Sequence, residues 1–404
     1  MDKEPSGEEA DNGLTFFRTM YNKYRDAFLN QINEYALEDD IKRHLEKYYK
    51  VLFDYNCLGG GILVILIYEY VKNRDINSSE WEKAACLAWC IEILQASFLV
   101  ADDIMDMGET RRNKHCWYLL KDVETKNAVN DVLLLYNAIY KSVLKMIGTA
   151  ATAACMFPVR MPSCCVLSHH VASPLIHLSP LHPRLIELYL QNESCYVDIL
   201  AAFRDATLKT IVGQHLDTNI FSDKYSDVNR TINVHNVNVP EQPTININMI
   251  NFNVYKNVVV HKTAYYSFFL PIVCGMLLAG ISKDNLIYKK VEDISIMMGE
   301  YFQIHDDYLD TFGDASKTGK TFELCTEQDK LKIMKNYGKN NAACVKIIDS
   351  VYEQYNVRYH YAEYEKTKKE TILRAISELH HEGMYPIENF PDGCSIRLAP
   401  LIFP

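Results

Sequence analysis

Apolar side chains recur along this chain at intervals of three and four. The segments LTFFRTMYNKYRDAFLNQINEYA, IKRHLEKYYKVLFDY, WEKAACLAWCIEILQASFLVADDIMD, NDVLLLYNAIYKSVLKMI, RLIELYLQNESCYVDILAAF and KVEDISIMMGEYFQIHDDYLD share this pattern. Each places hydrophobic residues at i, i+3, i+4 and i+7, the spacing of a helix with one buried face. No series of alternating strands competes with them. The pattern predicts an all-α protein, a bundle of long helices around a central cavity. Three stretches break the period. Residues 148–183 are rich in Ala, Ser, Pro and His and read as a long loop or insertion. Residues 229–257 are Asn-rich and β-branched and read as a second irregular insertion, a stray hairpin or a disordered stretch. The expected organisation is a disordered acidic N-terminus over 1–14, a helical domain over 15–375 and an irregular Pro-containing tail over 376–404.

Composition narrows the class. The 404 residues are 48% hydrophobic and 23% charged, enough for one large globular domain or two modest ones. A formal net charge of −10 argues against a nucleic-acid partner, since such proteins carry a basic balance. The twelve Cys residues include no C-x-x-C, so buried reduced thiols are expected rather than a disulfide framework or zinc site. The opening MDKEPSGEEADNG has neither signal-peptide nor transit-peptide character. The apolar runs GGGILVILIYEYV and YYSFFLPIVCGMLLAG fall short of the roughly 20 residues a membrane span needs. A cytoplasmic protein without a membrane span is expected.

Two acidic clusters of the form DDxxD interrupt this apolar background: Asp102, Asp103 and Asp106, then Asp306, Asp307 and Asp310. In each, the first and last Asp are i and i+4 and project from one helical face. Three like charges on a core-facing helix cost several kcal/mol unless neutralised, about the scale of burying unpaired charge. A hard divalent cation is the usual neutraliser, and Mg²⁺ recruits phosphate as a co-ligand. Two clusters so placed suggest one site lined from two sides. Arg111 and Arg112 follow the first cluster, and their guanidinium forks suit phosphate oxygens. Lys262 and Lys320 are further phosphate cations. Gln214, Asp217 and Gln303 are polar groups within helical sequence, and His305 is either a metal ligand or a wall residue.

These residues stand in longer motifs. LVADDIMDMGETRRNKHCWY, GQHLD, KTAYYSFFLPI and GEYFQIHDDYLDTFGDASKTGK together make the chain resemble the trans-isoprenyl diphosphate synthases, and among them the farnesyl diphosphate synthases of animals. The resemblance runs from about residue 15 to about 375. It implies the isoprenoid synthase bundle, usually a homodimer, in which the two Asp-rich motifs hold three Mg²⁺ ions on an allylic diphosphate. Asp102, Asp103, Asp106, Asp306, Asp307 and Asp310 would then be metal ligands. Arg111, Arg112, Lys262, Lys320 and Gln303 would contact the diphosphate. Asp102, Asp306, Lys262 and Phe98 would carry the chemistry.

Departures from the family pattern point to a narrower activity. The synthases bind isopentenyl diphosphate with a Gly-Gly-Lys segment and an Arg three residues later. Here the Lys position is Gly61 and the Arg position is Val64. Two charge-assisted hydrogen bonds, each contributing about 1.5–3 kcal/mol, are lost, weakening a second diphosphate by about 10²–10⁴-fold. A stretch of about twenty residues after Lys320, and a basic tail, are also missing relative to the family. Synthases that stop at fifteen carbons commonly place two aromatics five and four residues before the first motif. Here these cavity-floor positions are Ser97 and Phe98, so the floor is lowered at the first of them. The expected function is therefore Mg²⁺-dependent ionisation of farnesyl diphosphate to a sesquiterpene, as in insect terpene synthases that supply pheromone precursors. Two other readings stand beside it: a prenyltransferase condensing allylic and isopentenyl diphosphates, and a non-catalytic prenyl-diphosphate-binding paralogue.

Overall fold

A computed structural model describes residues 12–24, 26, 58–72, 74–112, 114–121, 123–137, 139, 185–219, 252–312, 327–336 and 341–381. Helices dominate it, as the periodicity requires. They are α1 (Asn12–Thr19), α2 (Gly59–Lys72), α3 (Ser78–Met105), α4 (Glu124–Asn137), α5 (Leu185–Leu190) and α6 (Tyr196–Asn219). They continue with α7 (Phe252–Val259), α8 (Leu270–Ala279), α9 (Ile287–Phe312), α10 (Glu327–Asn336), α11 (Ala342–Gln354) and α12 (Val357–His381). A π-helical segment, Val260–Phe269, joins α7 to α8. The strands among the described residues are two short ones, β1 (Thr110–Arg111) and β2 (Lys114–His115), paired antiparallel.

Several expected boundaries move. The insertion at 148–183, Lys320 and residues 229–251 lie outside the described residues. Residues 252–257 are not irregular; they open α7, whose Val258 and Val259 are buried. α1 begins at Asn12, inside the stretch expected to be disordered. α12 runs past 375 to His381, because Ile372, Ile376 and Leu379 prolong one apolar stripe against the core.

The chain divides into two compact units: Met1–Leu58 with Asn77–Tyr196, and Gly59–Ile76 with Val197–Pro404. The first is built on α3. Asn77 caps it, accepting from the Glu80 backbone N–H while Glu80 reaches back to the Asn77 N–H. Sixteen of its residues from Trp81 to Asp103 are buried, so it is wrapped on most sides. α1 supplies Phe17, and Tyr21 just beyond it also packs against the Trp89 ring, whose indole N–H donates to the Phe17 carbonyl at 2.9 Å. α4 and α5 also pack on α3.

The second unit has a core of Leu63, Phe268, Ile272, Met276, Val291, Ile294, Met298, Tyr301 and Ile372 with their neighbours. α2 lies so close to α8 that a Cβ on Gly275 would meet Ile67 side-chain atoms at 2.9 Å. The π segment is gripped still more closely. A Cβ on Gly213 of α6 would sit 2.1 Å from the Lys262 nitrogen, and one on Gly299 of α9 would sit 2.4 Å from the Ala264 Cβ. Among the described residues, α3 and the helix Phe252–Ala279 are long and apolar enough to span a membrane by composition. However, 78% and 67% of their most apolar windows are buried, as in core helices. The expected buried thiols are found at Cys86, Cys90, Cys116 and Cys274.

Candidate active site

The first aspartate cluster occupies the last turn of α3. The chain leaves that helix through a tight reversal: Met107 takes a φ of +53°, and the Gly108 N–H donates back to the Asp103 carbonyl at 3.0 Å. The reversal leads into the β1–β2 hairpin, which brings Arg111 back over the cluster. Arg111 Nε donates to Asp103 Oδ1 at 2.8 Å, and Nη2 lies 2.6 Å from the same oxygen and 3.0 Å from Asp102 Oδ2. Burial works against the guanidinium's charge, but the Asp103 hydrogen bond and the two carboxylates outweigh it and hold its pKa above the usual range. Asp103 is buried, Asp102 half-buried and Asp106 exposed. The Cys116 thiol is pushed up to about 12 by burial and then by the Asp103 charge. Trp117, donating to Asp131 at 2.9 Å, fastens the hairpin exit to α4. Arg112 sits exposed at the hairpin turn with a φ of +52°. Ser97 is buried with its hydroxyl donated to the Leu94 carbonyl at 2.7 Å; Phe98, one turn before Asp102, is half-buried.

The second cluster lies in the last two turns of α9. Asp306 is exposed; Asp307 is half-buried and held at both oxygens. The Tyr255 hydroxyl donates to its Oδ2 at 2.8 Å, and the Gln303 amide donates to its Oδ1 at 2.9 Å. Gln303 accepts in turn from the Thr263 hydroxyl at 2.9 Å. Lys262, beside Thr263 in the π segment, donates to Asp217 at 2.6 Å. Burial and then the Asp307 charge raise the Tyr255 phenol's pKa, so it stays protonated as a donor. His305 packs among aromatic neighbours of α9 and α12. Its ring stacks on Tyr301 and its Nδ1 lies 2.5 Å from the Tyr361 hydroxyl of α12. Burial, opposed by Glu365, lowers its pKa. Tyr308, within the cluster, stacks on Tyr361 at 3.7 Å. The Tyr265 hydroxyl donates to Glu292 at 2.9 Å with Lys209 Nζ 3.8 Å over its ring, and the Tyr301 hydroxyl donates to Glu365 at 3.1 Å. Asp310 lies on α9 and Gly61 and Val64 on α2, the latter two buried without charge.

The structure thus gathers Asp102, Asp103 and Arg111 in one unit, and Lys262, Asp217, Gln303 and Asp307 in the other. Sequence reasoning missed Tyr255. Its signal was its spacing, seven residues or two helical turns before Lys262, hidden because 252–257 read as irregular.

Both clusters suit a hard cation. Each sits at a helix C-terminus, the negative end of the backbone dipole, and neither helix has a basic residue in its last turn. Asp103 Oδ2 is buried without a hydrogen-bond partner. Among the described residues no three His, Cys, Asp or Glu side chains gather closely enough to hold a metal by themselves. Mg²⁺ is commonly held by one or two carboxylates together with phosphate oxygens.

A sequence profile of the polyprenyl synthetase family matches residues 46–364. Curated relatives include the farnesyl pyrophosphate synthase of Schizosaccharomyces pombe, 29% identical over 371 residues covering 87% of this chain and 88% of the relative. The farnesyl pyrophosphate synthase of Zea mays is 31% identical over 346 residues, 80% of each chain. The crystal structure of T. brucei farnesyl diphosphate synthase superposes with a TM-score of 0.71 at 23% identity, covering 92% of this chain and 95% of that one. That likeness is one of fold, the helical isoprenoid synthase bundle.

Proposed function

The chain belongs to the polyprenyl synthetase family, and on that premise we propose that it ionises an allylic prenyl diphosphate, farnesyl diphosphate, as a terpene synthase. Six aspartates, Asp102, Asp103, Asp106, Asp306, Asp307 and Asp310, would hold Mg²⁺, and Arg111, Arg112, Lys262, Lys320 and Gln303 would attend the diphosphate. Bound Mg²⁺ supplies Lewis-acid neutralisation of the leaving diphosphate. The chain's own cations add to this: Arg111 is fixed by two carboxylates and Lys262 by Asp217, so both stand oriented before substrate arrives. Apolar and aromatic side chains such as Phe98 then shield the allylic cation from water. Loss of a proton gives an olefin and capture by water an alcohol. We infer a cytosolic homodimer, as the resemblance implies.

One observation carries this reading over condensation. Gly61 and Val64 stand where a second diphosphate would need Lys and Arg, and both are buried in α2, Val64 at 0% exposure. The second reading is a farnesyl diphosphate synthase-type prenyltransferase. The relatives support it more directly, since those compared above carry that activity in their names. The two separate in one assay. Purified protein is given Mg²⁺ with farnesyl diphosphate alone, then with dimethylallyl and isopentenyl diphosphates. A C15 hydrocarbon or alcohol from the first mixture is expected. Elongation confined to the second mixture establishes the prenyltransferase instead, and binding without turnover in either establishes a non-catalytic paralogue.

A further inference from the structure

We propose that the Tyr255 hydroxyl is a positioning group for the second aspartate cluster, fixing Asp307 in the orientation in which it serves a divalent cation and diphosphate; this rests on the reading above. An aspartate near the end of a helix turns about two side-chain bonds, and holding it still takes donors from more than one direction. Asp307 has them. Gln303 reaches Oδ1 at 2.9 Å from one turn earlier in its own helix, and Tyr255 reaches Oδ2 at 2.8 Å from α7. The first donor is itself tied, through Thr263 at 2.9 Å, to the π segment. Lys262 follows one residue before Thr263 and is anchored on Asp217 at 2.6 Å. One continuous stretch, Tyr255 to Thr263, therefore sets the carboxylate, its amide neighbour and a phosphate cation together. The Tyr255–Asp307 bond links a phenol to a carboxylate, the stronger class of hydrogen bond. Groups that orient metal-binding carboxylates in this way change metal affinity about 10–100-fold when removed.

The test is Tyr255→Phe, which deletes only the oxygen. Mn²⁺ binding in the presence of inorganic diphosphate, read by electron paramagnetic resonance, should weaken about 10-fold or more. The Mg²⁺ concentration for half-maximal turnover should rise in parallel, while KM for farnesyl diphosphate at saturating Mg²⁺ changes less. Thr263→Val, which frees Gln303 from its tether, should move Mn²⁺ binding the same way by a smaller factor. It serves in place of Tyr255→Phe if that variant does not fold. Tyr265→Phe, whose hydroxyl bonds Glu292 instead, should leave Mn²⁺ binding unchanged. A Tyr255→Phe enzyme with lower thermal stability but wild-type Mn²⁺ binding would overturn the proposal and make the bond structural only. Wild-type protein that binds no Mn²⁺ with diphosphate overturns the functional reading and this proposal with it; normal wild-type binding with unaffected variants overturns this proposal alone.

Discussion

Arg112 carries its charge on a backbone that disfavours it. A non-glycine residue in the left-handed region costs about 1–2 kcal/mol, and Asn tolerates that region better. Arg112→Asn should therefore raise stability in urea by about 0.5–1 kcal/mol while lowering turnover, because the diphosphate loses a cation. Equal or higher turnover would remove Arg112 from the substrate site. The two leading aspartates of the first cluster should separate in the opposite sense. Asp103 is buried and takes both contacts from Arg111 on one oxygen, so Asp103→Asn should cost about 2–3 kcal/mol of stability in chemical denaturation. Asp102 is more exposed; Asp102→Ala should cost little stability yet reduce turnover to background. Turnover near wild type would refute its place in cation binding.

At the scale of elements, the π segment is held by close packing on two sides. Gly299→Ala would place a Cβ 2.4 Å from the Ala264 Cβ and 2.5 Å from its Cα, and should destabilise the fold by about 3 kcal/mol or more in thermal unfolding. Ala264→Gly should rescue it only in part, since the clash with the backbone Cα remains; full rescue would show that the side chain alone sets the spacing. The helices themselves were legible in the sequence because burial imposes a period, and so was the seating of both aspartate clusters at the ends of long helices. The close approach was not, since Gly213 and Gly299 mark permission for contact without naming the partner. Nor was the Arg111–Asp103 pair, which depends on a left-handed turn at Met107 and a two-residue hairpin that no period announces. Tyr255 was hidden by its neighbours: the Asn-rich run before it masked a short helix whose burial comes from the rest of the unit.

For the molecule as a whole, each unit ends a long helix in acid. Those charges oppose the helix dipoles and add to a net charge of −10. Cation and diphosphate together should therefore stabilise the folded chain more than either alone. At about 100 times the dissociation constant, bound ligand contributes about 2.7 kcal/mol. The thermal midpoint should rise with Mg²⁺ plus inorganic diphosphate and fall back on chelation, and a midpoint indifferent to both would contradict cation binding at the clusters. The π segment has a bearing on how such a chain can change over generations. A wider helical turn holds an extra residue that an α-helix has no room for. Losing Val260 or His261 would shorten the spacing between Tyr255 and Lys262 by one residue and turn one against the other by about 100° about the helix axis. Point substitutions at the two positions before Lys262 leave its spacing from Tyr255 intact, whereas a single-codon deletion there would part Lys262 from Tyr255 at one stroke.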